Sequence, residues 1–340
     1  MPKAVVCTAL DSSFQSLELQ EVPELPSLGE DEIAVSVLSC GIAFPDVLKV
    51  AGKYQVLSEP PFIPGSEICG IVTRVGEAVR NIQVGEKVFG ILPSGGLAEE
   101  AVLSAGDVYK VPPGVDVNVA AGFELNYGTT FHGLKDIAQL QAGETLLVLG
   151  ASGGVGLAAI DIGKALGATV IACASSGDKL EACRQAGADV CINYVEEDLR
   201  KSLKRVAPMG INVVYDPVGG KWSEPAIRSL AFGGRFVVVG FASGGDTPKD
   251  AIPKIPLNLA LLGEKKILGC FWGEWRVRDQ NKGNAKNIQN MLRMVQSGQL
   301  KPFVSKVYPF HSFREAFEDL TKRRVIGKIC VAVASPKSKL

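Results

Sequence analysis

Between residues 126 and 261 the chain alternates short, nearly all-apolar runs with helix-length stretches, and this rhythm restricts its possible folds more than any other feature. The apolar runs are Thr145-Leu-Leu-Val-Leu149, Thr169-Val-Ile-Ala-Cys173, Asp189-Val-Cys-Ile192, Asn212-Val-Val-Tyr215 and Arg235-Phe-Val-Val-Val239. Helices are expected between them over residues 155–166, 178–186, 196–206 and 222–230. Strands apolar on both faces and separated by helices predict a parallel sheet covered on both sides, so an α/β, doubly wound fold.

One turn in this region carries chemistry. Leu149-Gly-Ala-Ser-Gly-Gly-Val-Gly156 follows an apolar strand and opens a helix, the setting a dinucleotide-binding loop requires. Gly153 and Gly154, flanked by Ser152 and Val155, let backbone N–H groups approach a pyrophosphate, and Gly156 lets the helix pack closely on the sheet. The positive end of the helix dipole then faces the anion. Ala151 stands where the G-x-G-x-x-G form has a glycine, so the reading rests on the strand–helix units around the loop. The next strand ends in Ala174-Ser175-Ser176-Gly177 with no acid where an NAD site places its ribose-binding carboxylate. Such a carboxylate about 4 Å from a 2′-phosphate would cost on the order of 4 kcal/mol per charge pair at an effective dielectric near 20. The hydroxyls of Ser175 and Ser176, with Lys179 one turn on, suit a phosphate, and the expected cofactor is NADPH rather than NADH.

Residues 1–125 read differently. Strand-like segments at 3–7, 32–37, 70–75 and 86–89 follow one another at close spacing among Gly and Pro. Ile33, Val35 and Val37 alternate with Ala34 and Ser36 at the period of a half-buried strand. A compact barrel-like β domain is expected there. After residue 261 come a further strand at 266–270, a helix around 287–296 and a closing helix–strand pair.

Charge and cysteine usage remove whole classes of function. Thirty-six basic residues against thirty-six acidic ones leave no net field to draw nucleic acid or an anionic membrane. No apolar run reaches the roughly 18 residues needed to cross a bilayer, and no signal peptide is expected before the first strand. The eight Cys are scattered without a C-x-x-C pair, a pattern of buried hydrophobes in a reducing compartment. Only His132 and His311 could serve a metal site or a Ser-His-Asp triad, and both read as packed side chains.

Taken together, the β domain, the glycine loop, Ala174-Ser-Ser-x-x-Lys179 and the returning C-terminal piece resemble a medium-chain dehydrogenase/reductase. More narrowly, the chain resembles the zinc-free quinone oxidoreductase (zeta-crystallin-like) branch. The match includes Cys40-Gly-Ile-Ala-Phe-Pro-Asp46, Gly52-Lys-Tyr54, Phe62-Ile-Pro-Gly-Ser-Glu67, Asn126-Tyr-Gly-Thr-Thr130, Ile192-Asn-Tyr194, Asp216-Pro-Val-Gly-Gly220 and Gly269-Cys-Phe-Trp-Gly273. The resemblance implies a Rossmann domain over residues 126–261 and a discontinuous GroES-like β-barrel catalytic domain from residues 1–125 and 262–340. Zinc members carry a Cys in Gly-Ile-Cys and a His in Gly-His-Glu. Here those places hold Ala43 and Ser66, neither an adequate ligand, Glu67 cannot hold zinc alone, and the four-Cys structural loop is missing, so no metal is expected.

The resemblance also implies which residues line the cofactor. Tyr194 and Arg323 join Lys179 at the 2′-phosphate, where an Arg fork suits the ligand. Thr130 lies beside the nicotinamide ribose, in the same motif as Asn126. Backbone near Gly240, Phe241, Phe271 and Trp272 holds the carboxamide and pyrophosphate ends. Phe44, Tyr54 and Trp272 are the expected substrate-side residues. Ala43 replaces an Asn common in the family, and Leu48 a Tyr, which leaves the proton donor open; Tyr54 is the candidate.

Without a metal, hydride transfer needs an acceptor that is already electrophilic, a quinone or an alkene conjugated to a carbonyl. The chain reads as a reductase of such compounds, working by positioning and a few hydrogen bonds in a dry cleft. An alternative is an enoyl-thioester reductase, with Arg276, Arg278 and Lys282 as a basic patch for coenzyme A. Another, of a different class, is a non-catalytic NADPH-binding, crystallin-like or RNA-binding protein, which the zero net charge weakens. A homodimer is expected through the strand at 266–270, by resemblance a sheet edge. The chain closes on Ser338-Lys339-Leu340, the address read by the peroxisomal import receptor; the alternative location is the cytoplasm.

Overall fold

In the computed structural model, which describes residues 1–243 and 252–333, the chain forms two compact units. One is Met1–Leu125 with the segment returning from Phe303; the other is Asn126–Pro302. The masses of β and α/β pattern read in the sequence fall one to each unit.

The first unit begins with the antiparallel pair β1 (Lys3–Cys7) and β2 (Leu17–Glu21). There follow β3 (Glu32–Ile42), β4 (Glu67–Val75), β5 (Lys87–Ile91), β6 (Glu100–Ser104) and β7 (Val108–Lys110). Ile33, Val35 and Val37 lie inside as their alternation predicts, but Ala34 is buried as well. The reason is that β3 is central: β4 pairs along one side, β6 along the other, both antiparallel. These strands enclose a core that includes Val5, Cys40, Ile68, Val72, Val88 and Leu103.

The second unit holds β8 (Thr145–Val148), β9 (Thr169–Ala174), β10 (Val190–Asn193), β11 (Ile211–Asp216), β12 (Leu230–Val238) and β13 (Lys266–Gly269). They form one sheet in the order β10-β9-β8-β11-β12-β13, every neighbour parallel. In chain order of the strands this is 3-2-1-4-5-6, the doubly wound arrangement that reverses direction beside its first strand. Helices Gly154–Ala165, Gly177–Gln185, Leu199–Val206 and Ser223–Arg228 connect the strands. One boundary read from the sequence is corrected here. Residues 262–302, expected in the β domain, belong to the α/β unit. The cause is pairing: β13 runs parallel to β12 through Arg235↔Lys266 to Val238↔Gly269, and the long helix Lys282–Gln296 lies in the same unit.

The chain then re-enters the first unit as β14 (Val304–Pro309) and β15 (Lys328–Ala332), with the helix Phe313–Thr321 between them. β15 pairs antiparallel to the end of β3, Ile329 opposite Ile42, completing the order β14-β15-β3-β4-β5-β7.

Candidate functional site

The glycine loop sits at the end of β8, where strand order in the sheet reverses, the place at which open α/β sheets bind ligands. Its helix, Gly154–Ala165, starts from Gly153 in extended conformation with no side chain capping it. The first-turn N–H groups are therefore available to an anion rather than turned inward by a Ser or Asp. Two glycines are required by close approach. A Cβ on Gly156 would lie 2.5 Å from the Gly150 carbonyl oxygen, and one on Gly154 would lie 2.6 Å from the Asn126 side-chain nitrogen. A Cβ on Gly153 would meet only the Gly150 oxygen, at 3.4 Å, and otherwise open space. The loop is thus packed at Gly154 and Gly156 and open at Gly153. Ser152 is buried within it.

Of the residues expected at the 2′-phosphate, Ser175, Ser176, Lys179 and Tyr194 lie together in this unit, whereas Arg323 belongs to the other. Lys179 Nζ donates to Ser175 Oγ at 3.3 Å. Ser176 precedes the helix Gly177–Gln185 without capping it by its side chain, so this second helix start is also open to an anion. Tyr194 N–H donates to the Ala174 carbonyl at 3.2 Å, which fixes Tyr194 beside Ser175 at the ends of β9 and β10. Its ring packs on Trp222 with centroids 4.6 Å apart, and Lys221 Nζ lies 4.5 Å from the Trp222 ring. Trp222 and Lys221 went unnoticed in the sequence. They follow a different strand, and only the register of the sheet brings them to Tyr194. Beside them Arg200, Lys221, Arg228 and Lys254, with Glu224, line a cavity of about 590 Å³.

Asp216 organises the neighbouring loop. Its buried carboxylate accepts from Val218 and Gly219 N–H, both at 2.8 Å, and from Ser223 Oγ at 2.6 Å. The Asp216 carbonyl receives Val239 and Gly240 N–H, which ties the ends of β11 and β12 together and sets Phe241 beyond them, partly exposed. Burial pushes the Asp216 carboxyl up, against the three hydrogen bonds that pull it down.

Other expected residues are placed as follows. Thr130 is fully buried, its hydroxyl 3.3 Å from the Val155 carbonyl and 3.0 Å from Tyr215 Oη. Trp272 is also buried; its indole N–H donates to Asn284 Oδ1 at 2.9 Å and its ring abuts Gly128. The exposed aromatic of that pair is Phe271, 59% accessible. Arg278 pairs with Glu274 at 2.6 Å and Arg276 lies over the Trp272 ring, so the expected basic patch is partly neutralised within its own helix. Arg323 belongs to the first unit, exposed and in the left-handed backbone region at φ 55°. Ser338, Lys339 and Leu340 lie outside the described residues.

In the first unit, Ala43 caps the helix Phe44–Val50, with Asp46 accepting its N–H at 3.0 Å. Ser66, just before β4, donates to the other Asp46 oxygen at 2.8 Å and accepts from Lys49 Nζ at 2.9 Å. Lys49 also donates to the Pro93 carbonyl at 2.7 Å and lies 5.7 Å from the Tyr54 ring centroid. Partial burial and then the nearby Asp46 carboxylate raise the Tyr54 phenol above its ordinary range. Phe44 is exposed and Leu48 half-buried. Behind this chain, Glu67 and Lys328 form a buried ion pair at 2.8 Å, and Glu67 also accepts Leu125 N–H at 2.9 Å. Burial alone would lower the Lys328 ammonium, but Glu67 more than reverses that and holds it up.

This donor set does not fit a catalytic zinc. Ala43 offers a methyl, Ser66 has its proton on Asp46 and a lone pair on Lys49, and Glu67 is engaged by Lys328. Among the described residues no cluster of three or more His, Cys, Asp or Glu is arranged to hold an ion.

Comparison with known proteins agrees with the fold. Residues 29–113 match the alcohol dehydrogenase GroES-like domain, and residues 154–296 match the model described as zinc-binding dehydrogenase. The chain is 36% identical over 334 residues to the quinone oxidoreductase-like protein 2 of Bos taurus, covering 97% of this chain and 92% of that one. The quinone oxidoreductase of Thermus thermophilus, whose structure includes an NADPH complex, aligns with a TM-score of 0.80 at 31% identity, over 97% and 99% of the two chains. CurK enoyl reductase aligns with a TM-score of 0.83 at 26% identity, over 97% and 99%. The doubly wound sheet, the GroES-like unit and the glycine loop define a medium-chain oxidoreductase. Within that class, the chain belongs to the zinc-free, quinone oxidoreductase-like branch.

Proposed function

We propose that the enzyme is an NADPH-dependent reductase of quinones and carbonyl-conjugated alkenes that works without a metal. The observation that carries the reading is the cluster of Ser175, Ser176, Lys179 and Tyr194 at the ends of β9 and β10, with no carboxylate at the end of β9 itself and Asp178 on the first turn of the helix that follows. A phosphate is favoured there by a cation and hydroxyl donors, and a ribose diol lacks the carboxylate it would use. The bound dinucleotide would supply the hydride; the loop 149–156 would hold its pyrophosphate and orient it.

The acceptor must already be polarised, because the residues at the place of the zinc ligands supply no Lewis acid. Stopped-flow NADPH oxidation against quinones, enones and enoyl-coenzyme A esters tests the class directly. Lys179→Glu should raise the KM for NADPH by a hundredfold or more while leaving that for NADH within a few-fold, and an equal effect on both would remove the phosphate assignment. The likeness to CurK enoyl reductase supports a second reading, turnover of enoyl thioesters, which the same acceptor panel separates.

Two copies would associate through β13. It is the outer strand of its sheet, and Ile267, with Leu261 and Leu262 on the helix before it, is exposed. A monomeric mass by light scattering at micromolar concentration would refute the dimer.

A further inference from the structure

We propose that the cavity along the helix Ser223–Arg228 binds a nucleotide carrying two or more phosphates, at a place separate from the glycine loop. Arg200, Lys221, Arg228 and Lys254 take the phosphates, and Pro225, Ile252 and Pro253 take the organic part. All of this lining belongs to the α/β unit. The inference goes beyond the reductase reading and does not depend on which acceptor the enzyme reduces.

Three stretches of chain build the cavity. Lys221, Glu224, Pro225 and Arg228 recur at helical spacing through the turn Gly220–Trp222 and the helix that continues it, so they share one face. Arg200 comes from the first turn of the helix Leu199–Val206, which lies against Ser223–Arg228. Lys254 comes from the segment that leads into the helix Asn258–Gly263. No local pattern joins these stretches, which is why the sequence alone shows no basic patch here.

Charge in the cavity is one-sided. Four cations line it with one carboxylate, and that carboxylate is already engaged: Glu224 Oε1 accepts from Arg228 Nε at 2.9 Å and Nη2 at 2.6 Å. Arg200, Lys221 and Lys254 have no carboxylate within ion-pair distance among the described residues. By contrast Arg205, in the same helix as Arg200, is paired with Glu197 at 3.1 Å. Lys221 Nζ rests 4.5 Å from the Trp222 ring, a weaker partner than an anion. The field of the set reaches a neighbour: burial, and then the Arg228 charge, lower the Lys265 ammonium below its ordinary range. Unneutralised cations around a recess repel one another, and an anion entering it relieves that repulsion.

Size and lining select the anion. A volume of about 590 Å³ falls in the range of small-molecule sites and exceeds what a single phosphate ion fills. Four positive charges less one negative leave three, which matches two or three phosphate groups rather than one. The Arg200 guanidinium presents a fork that grips phosphate oxygens in pairs, while Lys221 and Lys254 act as point charges. Pro225, Ile252 and Pro253 add an apolar wall, and Ile252 is 54% exposed. A sugar or base laid on that wall removes it from water. Free nucleotides and the phosphorylated head of a coenzyme A thioester share this chemistry.

Calorimetric titration of the full-length enzyme saturated with NADPH tests the site, with ATP, coenzyme A and inorganic triphosphate as probes. ATP or coenzyme A should bind saturably with a Kd below about 1 mM, and the tighter of the two identifies the source. Arg200→Met and Lys254→Met should each weaken that binding about tenfold, with the NADPH Kd unchanged. Glu224→Gln, which removes the carboxylate from the lining, should tighten it. Three results would each overturn the proposal: saturable binding of neither nucleotide, binding that all three substitutions leave unaltered, or triphosphate bound as tightly as both nucleotides. A protein that takes up no NADPH would defeat the reductase reading instead, and the same titrations run without NADPH would still decide the cavity. Thermal melts matching wild type establish that the variants are folded.

Discussion

The glycine loop of the α/β unit and the Asp46–Ser66–Lys49 chain of the β unit meet charge in opposite ways. The loop works by subtraction: Gly154 and Gly156 give up side chains so that backbone comes close to Asn126 and Gly150, and uncapped N–H groups are left facing outward. The chain works by addition, threading a carboxylate and an ammonium from one helix and a hydroxyl from a strand end into one line that a loop carbonyl closes. Backbone amides give a fixed, proton-inert field suited to a permanent anion. Side chains in a hydrogen-bonded line instead balance one another's charge within their own unit.

The largest blow to this contrast should come from Gly156→Val. Its branches would drive into the Gly150 and Ala151 carbonyls, so a loss of about 3 kcal/mol or more in unfolding free energy and no measurable NADPH binding are expected, read by denaturant titration and fluorescence. Next in size, Lys328→Met leaves the buried Glu67 carboxylate without its cation. A cost of about 3–5 kcal/mol is expected from the denaturation midpoint, and Glu67→Gln combined with it should recover part of the loss.

A smaller, pH-dependent effect distinguishes structural charge from site charge. Glu144 is desolvated, which alone would raise its carboxyl, but Arg235 reaches it with two bonds of 2.6 and 2.7 Å and lowers it below its ordinary range. A lowered folded-state carboxyl means stability present at neutral pH and lost as pH falls through the acidic range where the folded carboxyl takes up its proton. Arg235→Met should therefore lower stability by about 1.5–3 kcal/mol at pH 7, and the gap from wild type should narrow below pH 4 in urea melts. It should leave acceptor turnover unchanged.

The two regions were also unequally visible in the sequence. A site made of backbone needs consecutive glycines between a strand and a helix, so 149–156 announces itself within eight residues. The run of apolar strands 145–149, 169–173 and 212–215 likewise matches β8, β9 and β11 to within one or two residues, because burial on both faces leaves no polar alternative. The polar chain could not be read the same way. Asp46, Lys49, Ser66 and Pro93 are scattered over nearly fifty positions, and the pairing of β4 with β3 on one side and β5 on the other draws them together. Lys49 taken alone resembles any solvated helix lysine. Trp222 and Tyr194 meet for a similar reason. The boundary of the α/β unit was misplaced because 262–302 is rich in helix and holds one short strand, whose parallel partner, β12, is set by topology rather than by local pattern.

The return of β15 to the flank of β3 has a further consequence for how the molecule is made. Ile42 leaves the ribosome well before the strand that pairs with it, with the whole of Asn126–Pro302 translated in the interval. The α/β insert can close its sheet during synthesis, since all six of its strands are contiguous in the chain. The other unit must wait for β15, the last part of β3 lacking a neighbour on one flank and Glu67 lacking its cation until then. Of the two, the part that starts second finishes first, and the nascent protein spends that delay with an open β edge for chaperones to guard.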